Sequence, residues 1–450
     1  MQLTVAQIAG AIEGRLLVGP SGAVVTSYHT DSRLVLPGGA FFALRGAEAD
    51  GHAYLAEAVG HGAAVVVVER GDAVPEGATA IEVADSWTAL FALARSVLDA
   101  VDPEVVGITG SNGKTSTKDL LTAALAGRYR VHRTEGNLNT ETGLPLTLLG
   151  LEPAHEVAVL EMGMQGPGEI ARLCALARPR IGVVTSIGSV HAEFFPDGKD
   201  GIARAKGELL AALPEDGLGV VNADDAYAPR LAARSAAPVC GYGFERSFGP
   251  GGLRGTGFRI LPDGGTAFAV EGTAVRLLAE GRHLARNALG ALAVARRLGV
   301  PIPEGAARIA EVRTEHRLQR RAAPGGWMIV DDAYNASPES MRAAFETVTA
   351  MARRGRLLAV LGQMAELGDE APAAHVELGR EAGALFDELC VVEGGWGATF
   401  AAAAGAEMVP DRAAAAGWVR AHVQPGDLLL VKASHGLALD RLVADLLARA

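Results

Sequence analysis

A glycine-rich run that ends in a lysine is the clearest chemical signal in the chain. It reads Gly-Ile-Thr-Gly-Ser-Asn-Gly-Lys-Thr over residues 107–115 and follows the apolar pair Val105-Val106. Backbone N–H groups in such a loop, with the positive end of the following helix, can cradle a polyphosphate. Lys114 would reach the terminal phosphates and the Thr115 hydroxyl would hold Mg²⁺. The last two glycines are three positions apart rather than five, so the sequence predicts a variant phosphate-binding loop; the alternative is a glycine turn without a ligand.

Lysine is scarce, since only five of the 41 basic residues are lysines: Lys114, Lys118, Lys199, Lys206 and Lys432. Arginine cannot replace lysine where a deprotonatable amine or a compact point charge is needed. The composition therefore indicates that lysine is kept for chemistry. Lys199 and Lys118 are the positions where a leftover surface charge is the simpler interpretation.

Several polar residues follow predicted strands, which is where open α/β sheets bind their ligands. Glu161 comes directly after an apolar strand and is placed to reach a metal, although a solvated acid is the alternative. His191 lies in a loop, and Lys206 begins an apparent helix where it could bind phosphate or carry a modification. Asn137 and Asn139 would either form a turn or contact a substrate.

A second polar cluster follows a hydrophobic strand late in the chain. It reads Asp-Asp-Ala-Tyr-Asn-Ala-Ser-Pro over residues 331–338, and Lys432 follows another apolar strand. Carboxylates and an amide at a strand terminus suit ribose hydroxyls or a polar substrate better than they suit a core.

Composition excludes several function classes. The chain has 450 residues, 49% of them hydrophobic and 21% charged, which predicts about three packed domains. A net charge of −11 argues against a nucleic-acid or anionic-membrane partner. The three separated cysteines suit a reducing compartment. No apolar run approaches the roughly 18 residues of a membrane span, so we expect a cytoplasmic protein without membrane insertion.

Alternating strands and helices predict the α/β fold class. A small α/β segment ends near Asp102-Pro103, and a mostly parallel sheet follows, extended by antiparallel strands within Gly241–Gly272. A third alternating set looks Rossmann-like but lacks its own glycine fingerprint, and the alanine-rich stretch 401–416 is predicted to be helical. The predicted domains are residues 1–100, 101–312 and 313–450.

These motifs resemble the Mur ligases in order and spacing, over essentially the whole chain. The resemblance rests on Thr109–Thr115, Gly136–Asn139, Glu161–Gly163, His191, Ala205–Glu208, Gly281–His283 with Asn287, and Asp331–Pro338. Thr30–Arg33, Phe41–Gly46 and Asp50–His52 resemble the UDP-sugar-binding domain of the two later ligases. The resemblance implies a small N-terminal α/β UDP-binding domain, a central P-loop ATPase domain with a parallel sheet, and a C-terminal Rossmann-like domain.

The C-terminal motifs favour one branch of the family. Asp331–Pro338, followed by Leu361–Gly368, resembles the member that joins D-alanyl-D-alanine to UDP-N-acetylmuramoyl-tripeptide, whereas the third-residue ligase usually carries a Tyr-Ala-His version. Three alternatives stay open: the third-residue ligase, a P-loop phosphotransferase or NTPase, and a non-catalytic nucleotide-binding regulator.

The resemblance also implies a mechanism in the peptidoglycan precursor pathway. The tripeptide carboxylate would attack the γ-phosphate of ATP, and the dipeptide amine would displace phosphate from the resulting acyl phosphate. Positioning and charge neutralisation would dominate catalysis. Lys114, Lys206 and His191 would be the catalytic residues, and the protein is expected to act as a monomer.

Ligand roles follow residue by residue from the same resemblance. Two Mg²⁺ ions are expected, one held by Thr115 and Glu161 and the other by His191 with a carbamylated Lys206. Ser32 and Arg33 would contact UDP. The peptide ends would meet near Asn137, Asn139 and Asn335. ATP would be bound by Thr109, Gly110, Ser111, Asn112, Gly113, Lys114, Thr115 and Ser116, with Asn287 at adenine, Arg317 at the phosphates and Asp331 at the ribose. The family's C-terminal Lys-Gly-Ser-Arg is Lys-Ala-Ser-His over residues 432–435, so His435 and Asp440 receive no role.

Overall fold

A computed structural model describes residues 1–46, 49–71, 74–262, 264–313 and 317–448. The helices are α1 Val5–Ala11, α2 Leu55–Gly60, α3 Ser86–Val101, α4 Lys114–Leu125, α5 Gly143–Leu149, α6 Glu169–Ala177, α7 Lys199–Lys206, α8 Glu208–Ala211, α9 Ala228–Ala232, α10 Arg282–Arg297, α11 Ile302–Ile309, α12 Pro338–Ala350, α13 Ala371–Leu385, α14 Gly397–Ala404, α15 Arg412–His422 and α16 Leu439–Ala448.

The strands alternate with these helices along most of the chain. They are β1 Leu3–Thr4, β2 Arg15–Val18, β3 Val24–Val25, β4 Ser27–His29, β5 Gly39–Phe42, β6 Val65–Val68, β7 Ala80–Glu82, β8 Glu104–Thr109, β9 Val131–Arg133, β10 Val157–Glu161, β11 Ile181–Val184, β12 Leu218–Asn222, β13 Val239–Gly243, β14 Leu253–Ile260, β15 Thr266–Val270, β16 Thr273–Leu277, β17 Gln319–Ala323, β18 Trp327–Asp331, β19 Leu357–Leu361, β20 Glu388–Val392, β21 Glu407–Val409 and β22 Leu428–Lys432.

The chain divides into two compact units. The first comprises Met1–Gly107, Tyr129–Gly163 and Glu169–Arg180. The second comprises Ile108–Arg128, Met164–Gly168 and Ile181–Ala450. The domain boundaries predicted from the sequence, near residues 100 and 312, are not boundaries of these two compact units. The division into three domains remains a prediction.

The first unit is built around a five-stranded sheet of order β2-β7-β6-β5-β4. The strands β4 to β7 run parallel, and β6 is four consecutive valines that are all buried. A strand covered on both faces loses the polar alternation of a half-exposed one, which explains this run. The same unit contains β9 and β10, which pair in parallel, so that Glu161 ends a fully buried strand.

The second unit begins with the phosphate-loop segment and a sheet of order β16-β15-β14-β13-β12-β11. Strands β11 to β14 are parallel, and β14 to β16 form an antiparallel extension. Helix α10 packs on α4 and on this sheet. Its alanine and leucine residues favour helix formation and give it a buried face.

The same unit ends in a six-stranded sheet of order β17-β18-β22-β19-β20-β21. All its neighbours are parallel except the edge strand β17, and separate hydrophobic clusters cover its two faces. This is the doubly covered arrangement that the sequence predicts. The carboxyl ends of β18, β19 and β22 bring Asp331, Leu361 and Lys432 to one edge.

The α/β prediction is confirmed, and the predicted antiparallel strands are found in β14 to β16. The structure differs from the predictions at β13 and in the alanine-rich stretch. Strand β13, at the start of the stretch expected to be antiparallel, pairs in parallel on both sides. The alanine-rich stretch is not one helix, because α14 ends at Gly405 with a positive φ of 64° and β21 follows as a sheet edge. Glycine adopts that backbone conformation without a Cβ clash, so it ends a helix that alanine would extend. In the described residues, no helix has the length and apolarity to cross a membrane.

Candidate active site

The glycine run forms a tight loop between a strand and a helix. Gly110 and Gly113 have φ of 150° and 90°, values that side chains with a Cβ disfavour. Helix α4 starts at Lys114, and no side chain caps its first turn. The N–H groups at this end therefore point toward the loop, as an anion-binding helix start requires.

The segment after β11 holds the loop in shape. Ser111 N donates to Ser186 O at 2.9 Å, and Thr185 Oγ1 donates to Asn112 O at 2.6 Å. Gly188 N in turn donates to Ser111 Oγ at 2.9 Å. Since these bonds lie within the protein, the loop is pre-organised for a ligand.

Two lysines lie near the loop in different environments. Lys114 Nζ donates to Gly110 O at 2.6 Å. Lys206 is the last residue of α7, so the prediction that it begins a helix is wrong, and it is 1% exposed. Burial, followed by the charge of Lys114, lowers the pKa of Lys206 well below its usual value. A neutral amine is the form that reacts with carbon dioxide, so the environment of Lys206 suits the predicted carbamate.

A cavity of about 210 Å³ opens beside the phosphate loop. Six of the predicted site residues line it: Asn112, Gly113, Ser116, Asn287, Arg317 and Asn335. The Asn287 amide lies against Gly113, where a Cβ would come within 2.6 Å of its Oδ1. The structure therefore brings residues from the phosphate loop, from α10 and from the C-terminal sheet to one cavity.

The cavity is rich in positive charge. Arg317 stacks on the Tyr334 ring, with its guanidinium carbon 4.5 Å from the ring centroid. Lys432 is buried, and its Nζ lies 2.6 Å from Asp332 Oδ2 and donates to Asn335 O at 2.8 Å. The lining holds three basic residues, Arg286, Arg317 and Lys432, against the two acids Asp332 and Glu339, and an excess of positive charge suits an anionic ligand.

His283 borders the same cavity as a neutral ring. Burial, with the charges of Lys432, Arg286 and Arg317, lowers its pKa to about 3. Part of the ring faces the cavity, but Nδ1 is cut off from solvent and has no hydrogen-bond partner in the described residues. A neutral imidazole offers one hydrogen-bond donor and one acceptor, so it can form hydrogen bonds with a polar group of a ligand.

The two neighbouring aspartates of the late motif have different surroundings. Asp331, the predicted ribose ligand, is fully buried, accepts from Ala333 N and lies 3.5 Å from Arg321 Nε. Asp332 instead lines the cavity. Successive side chains of a strand point to opposite faces, so only one of the pair can face the cavity. Asp331 therefore does not line this cavity, and its ribose contact remains a prediction.

Glu161, in the first unit, has a local environment that suits a cation. Asn139 Nδ2 donates to Glu161 Oε1 at 2.8 Å, and Glu161 N donates to Thr134 Oγ1 at 3.0 Å. Glu161 Oε2 is buried without a hydrogen-bond partner in the described residues. A buried carboxylate oxygen needs a donor or a metal, and Mg²⁺ accepts such oxygens.

The described residues hold no group of three or more His, Cys, Asp or Glu arranged for a metal. A Mg²⁺ ion bound here would therefore take most of its ligands from phosphate and water, which is its usual habit at nucleotide sites. Thr115, the other predicted ligand of the first ion, is half-buried in the first turn of α4.

The predicted UDP-binding residues are engaged with neighbours of their own unit. Ser32 Oγ donates to Glu57 Oε2, and Arg33 forms two bonds to Asp31 while remaining 77% exposed. Asn137 is exposed. Within the same unit, the structure brings Asn139 to Glu161.

His191 and Lys199 both contact acids of the C-terminal part of the second unit. His191 Nδ1 lies 2.6 Å from Glu366 Oε2. Lys199 Nζ lies 2.9 Å from Glu339 Oε1, so it is not the unattached surface charge that the sequence suggested. Both acids were absent from the sequence-based site. Glu366 lies in the Leu361–Gly368 motif, which was the available signal for it.

Three family models match successive parts of the chain. A Mur ligase family catalytic domain covers residues 24–105, the Mur ligase middle domain covers 108–295, and the Mur ligase glutamate ligase domain covers 316–435. A UDP-N-acetylmuramoyl-tripeptide–D-alanyl-D-alanine ligase from Mycobacterium bovis is 36% identical over 99% of this chain and 98% of its own length. The chain belongs to the Mur ligase family.

Solved structures agree with this assignment. MurF from Acinetobacter baumannii superposes with a TM-score of 0.88 and 29% identity, covering 100% of this chain and 99% of that one. MurF from Thermotoga maritima, solved in complex with ADP, has a TM-score of 0.81 and 30% identity over 95% and 99% of the two chains. The family members are ATP-dependent ligases, and this chain shares their α/β architecture.

Proposed function

We propose that this protein is the ATP-dependent ligase that joins D-alanyl-D-alanine to the peptide carboxylate of UDP-N-acetylmuramoyl-tripeptide, a cytoplasmic step of peptidoglycan precursor synthesis. The observation that carries the proposal is the cavity in which Asn112 and Gly113 of the phosphate loop face Arg317 and Asn335 of the C-terminal sheet. Full-length relatives with that printed activity support the choice of substrates.

ATP binding is proposed to use the pre-organised loop and the charged cavity. The N–H groups of the loop and of the start of α4 would hold the phosphates, and Lys114 would leave Gly110 O for the β- and γ-phosphates. Asn287 and His283 would present amide and imidazole groups to the base. Arg317, fixed by stacking on Tyr334, would neutralise phosphate charge without reorganising.

The reaction itself needs little covalent work from the chain. The tripeptide carboxylate would attack the γ-phosphorus and ADP would leave, which gives an acyl phosphate. The dipeptide amine would then attack the acyl carbon, form the amide bond and lose a proton, while inorganic phosphate leaves. Two Mg²⁺ ions would neutralise charge on the transferring phosphoryl group. Thr115 and Glu161 would hold one of them, and His191 with carbamylated Lys206 would hold the other. Glu161 fits because Oε2 is buried and unpartnered, and Lys206 fits because burial favours its neutral amine.

The peptide ends and the UDP group complete the proposal. Asn137, Asn139 and Asn335 remain the predicted contacts of the peptides, and Ser32 and Arg33 those of UDP. The protein is proposed to act as a monomer. The three buried free cysteines accord with the proposed cytoplasmic setting.

Phosphate release tests the proposal directly. ATP, Mg²⁺ and UDP-N-acetylmuramoyl-tripeptide are incubated with D-alanyl-D-alanine, with single amino acids, or with no amine. We expect release only with the dipeptide, together with a matching mass gain of the sugar nucleotide. Release with UDP-muramoyl dipeptide and a single amino acid would identify the third-residue ligase, and amine-independent release would identify an NTPase.

A further inference from the structure

The loop after β11 and the turn before α13 meet at two strained residues. His191 has φ of 70° and Glu366 has φ of 61°, both in the left-handed region that non-glycine residues avoid. Their side chains meet at 2.6 Å between His191 Nδ1 and Glu366 Oε2. Such strain persists only where the surroundings determine the conformation, and it concentrates at functional sites.

Backbone contacts hold the same two turns together. Glu193 N donates to Glu366 O at 3.4 Å. Gly368, with φ of 52°, packs so closely that a Cβ there would lie 2.8 Å from Glu193 Cα. The meeting of His191 with Glu366 is therefore built into the backbone on both sides.

The other end of the histidine loop is fixed by a second acid of the C-terminal part. Glu339 accepts from Ser189 N at 3.2 Å and from Ser189 Oγ at 3.3 Å, and it pairs with Lys199 at 2.9 Å. Gly188 leaves room for this, because a Cβ there would lie 2.9 Å from the Glu339 carboxylate carbon. Acids therefore hold the loop on both sides of His191.

We propose that Glu366 is a positioning residue that turns the His191 imidazole, holding Nδ1–H toward its carboxylate and presenting Nε2 to a divalent cation. The inference rests on the proposed function, which makes His191 a metal ligand. A ligating histidine usually donates its other ring N–H to a carboxylate, which fixes the tautomer and raises ligand basicity.

The contact has the distance but not yet the direction of a good hydrogen bond. Nδ1 lies 2.6 Å from Glu366 Oε2, yet it lacks an aligned hydrogen-bond partner in the described residues. Catalytic hydrogen bonds are often poorly aligned before the ligands bind and tighten in the complex.

This arrangement places the carboxylate and the histidine on different sheets of the second unit. His191 follows β11 of the central sheet, whereas Glu366 follows β19 of the C-terminal sheet. The histidine is therefore fully oriented only when the two sheets are docked as they are here.

The test measures metal affinity rather than turnover. Mn²⁺ is titrated into the full-length protein with saturating ADP, and free Mn²⁺ is followed by electron paramagnetic resonance. We expect Glu366→Ala to weaken one Mn²⁺ by about 10- to 100-fold. Glu366→Gln keeps an acceptor without the charge and should weaken it less. Asp369→Asn removes an exposed carboxylate of the neighbouring turn and is the matched control.

A double-mutant cycle separates positioning from a general structural role. In a His191→Ala background, Glu366→Ala should cause no further loss of Mn²⁺ affinity, because its effect passes through the ring. Nitrogen-15 spectra should show His191 with its proton on Nδ1 in the wild type and a mixture of tautomers in Glu366→Ala. If folding fails in the alanine variant, Glu366→Gln supplies the same comparison.

The outcomes distinguish this inference from the proposed function. If His191→Ala weakens Mn²⁺ but both Glu366 variants bind it like the wild type, the positioning role is overturned and the metal assignment stands. An additive loss in the double mutant would also overturn it. If His191→Ala leaves Mn²⁺ binding intact, the metal assignment itself fails, and dipeptide-dependent phosphate release decides the ligase assignment independently.

Discussion

Asn139 should stabilise the protein by holding the buried Glu161 carboxylate. Its Nδ2 donates to Glu161 Oε1 at 2.8 Å, and Glu161 is only 3% exposed, so water cannot replace the bond. A hydrogen bond to a charged group contributes about 1.5–3 kcal/mol, and the loss is largest when the partner is left buried. Asn139→Ala should therefore lower the free energy of unfolding by about that amount.

Calorimetry without nucleotide or metal measures the effect. A loss of this size lowers the unfolding temperature of a unit of about 150–250 residues by roughly 3–12 °C. Asn137→Ala is the matched control, since it removes the same amide two positions away from an exposed side chain. That variant should stay within about 0.5 kcal/mol of the wild type.

Metal dependence gives the functional side of the same prediction. Asn139→Ala should raise the Mg²⁺ concentration needed for half-maximal phosphate release, because the carboxylate loses the bond that fixes its orientation. A pure substrate contact would instead change the dependence on the tripeptide or the dipeptide. The reasoning is refuted if the Asn139 and Asn137 variants unfold together and Asn139→Ala keeps the wild-type Mg²⁺ dependence.

Three further predictions follow from buried and paired charges. Lys206→Arg should remove more than about 99% of ligase activity while ADP binding is retained, because a guanidinium forms no equivalent carbamate; carbon-13 bicarbonate should label only the lysine protein. Glu339→Ala should destabilise the protein more than Lys199→Met, because it removes the acceptor of Ser189 N as well as the ion pair. The half-exposed ion pair alone contributes about 0–1 kcal/mol. Chemical denaturation compares the free energies of unfolding of the two variants. His283→Gln should flatten the fall of stability in acid, because a pKa of about 3 in the folded state lies below the unfolded value of 6.5.

The sign of the last effect follows from proton uptake. Between pH 6.5 and about 3 the unfolded chain binds a proton at His283 that the folded chain does not, so stability falls as the pH is lowered through this window. The contribution approaches about 1.4 kcal/mol per pH unit. If stability depends on pH in His283→Gln as it does in the wild type, the His283 prediction is contradicted. Equal losses of unfolding free energy in Glu339→Ala and Lys199→Met would contradict the second prediction. Full activity in Lys206→Arg would contradict the first.

Local signals in the chain were sufficient for most of the fold. Glycine spacing, apolar strands and alternating elements gave the phosphate loop, the parallel sheets and the α/β class, because these depend on backbone conformation and on burial of short segments. The alanine-rich stretch failed, since helix propensity is a weak preference and sheet pairing at β21 overrides it.

The residues of the site also differ in how far local sequence signals identified them. Residues of the phosphate loop and Asn287 were identified because their types and spacing carry the chemistry by themselves. The place of Asp332 in the cavity wall was not identified, because the order of the two aspartates in the chain does not say which of them borders the cavity. Glu339 was missed because a surface acid has no local signature until its partner is known, whereas Glu366 was passed over although it lies within the Leu361–Gly368 motif.

The sequence by itself determined the reaction class, through a loop, a few lysines and a set of motifs that each act over a few residues. Only the tertiary structure decided how these groups support one another: that Asn139 holds Glu161, that Lys432 is buried against Asp332, and that Glu366 faces His191. The residues of each pair lie in different segments of the chain, and they meet only because the sheets pack together. No single segment therefore determines these contacts.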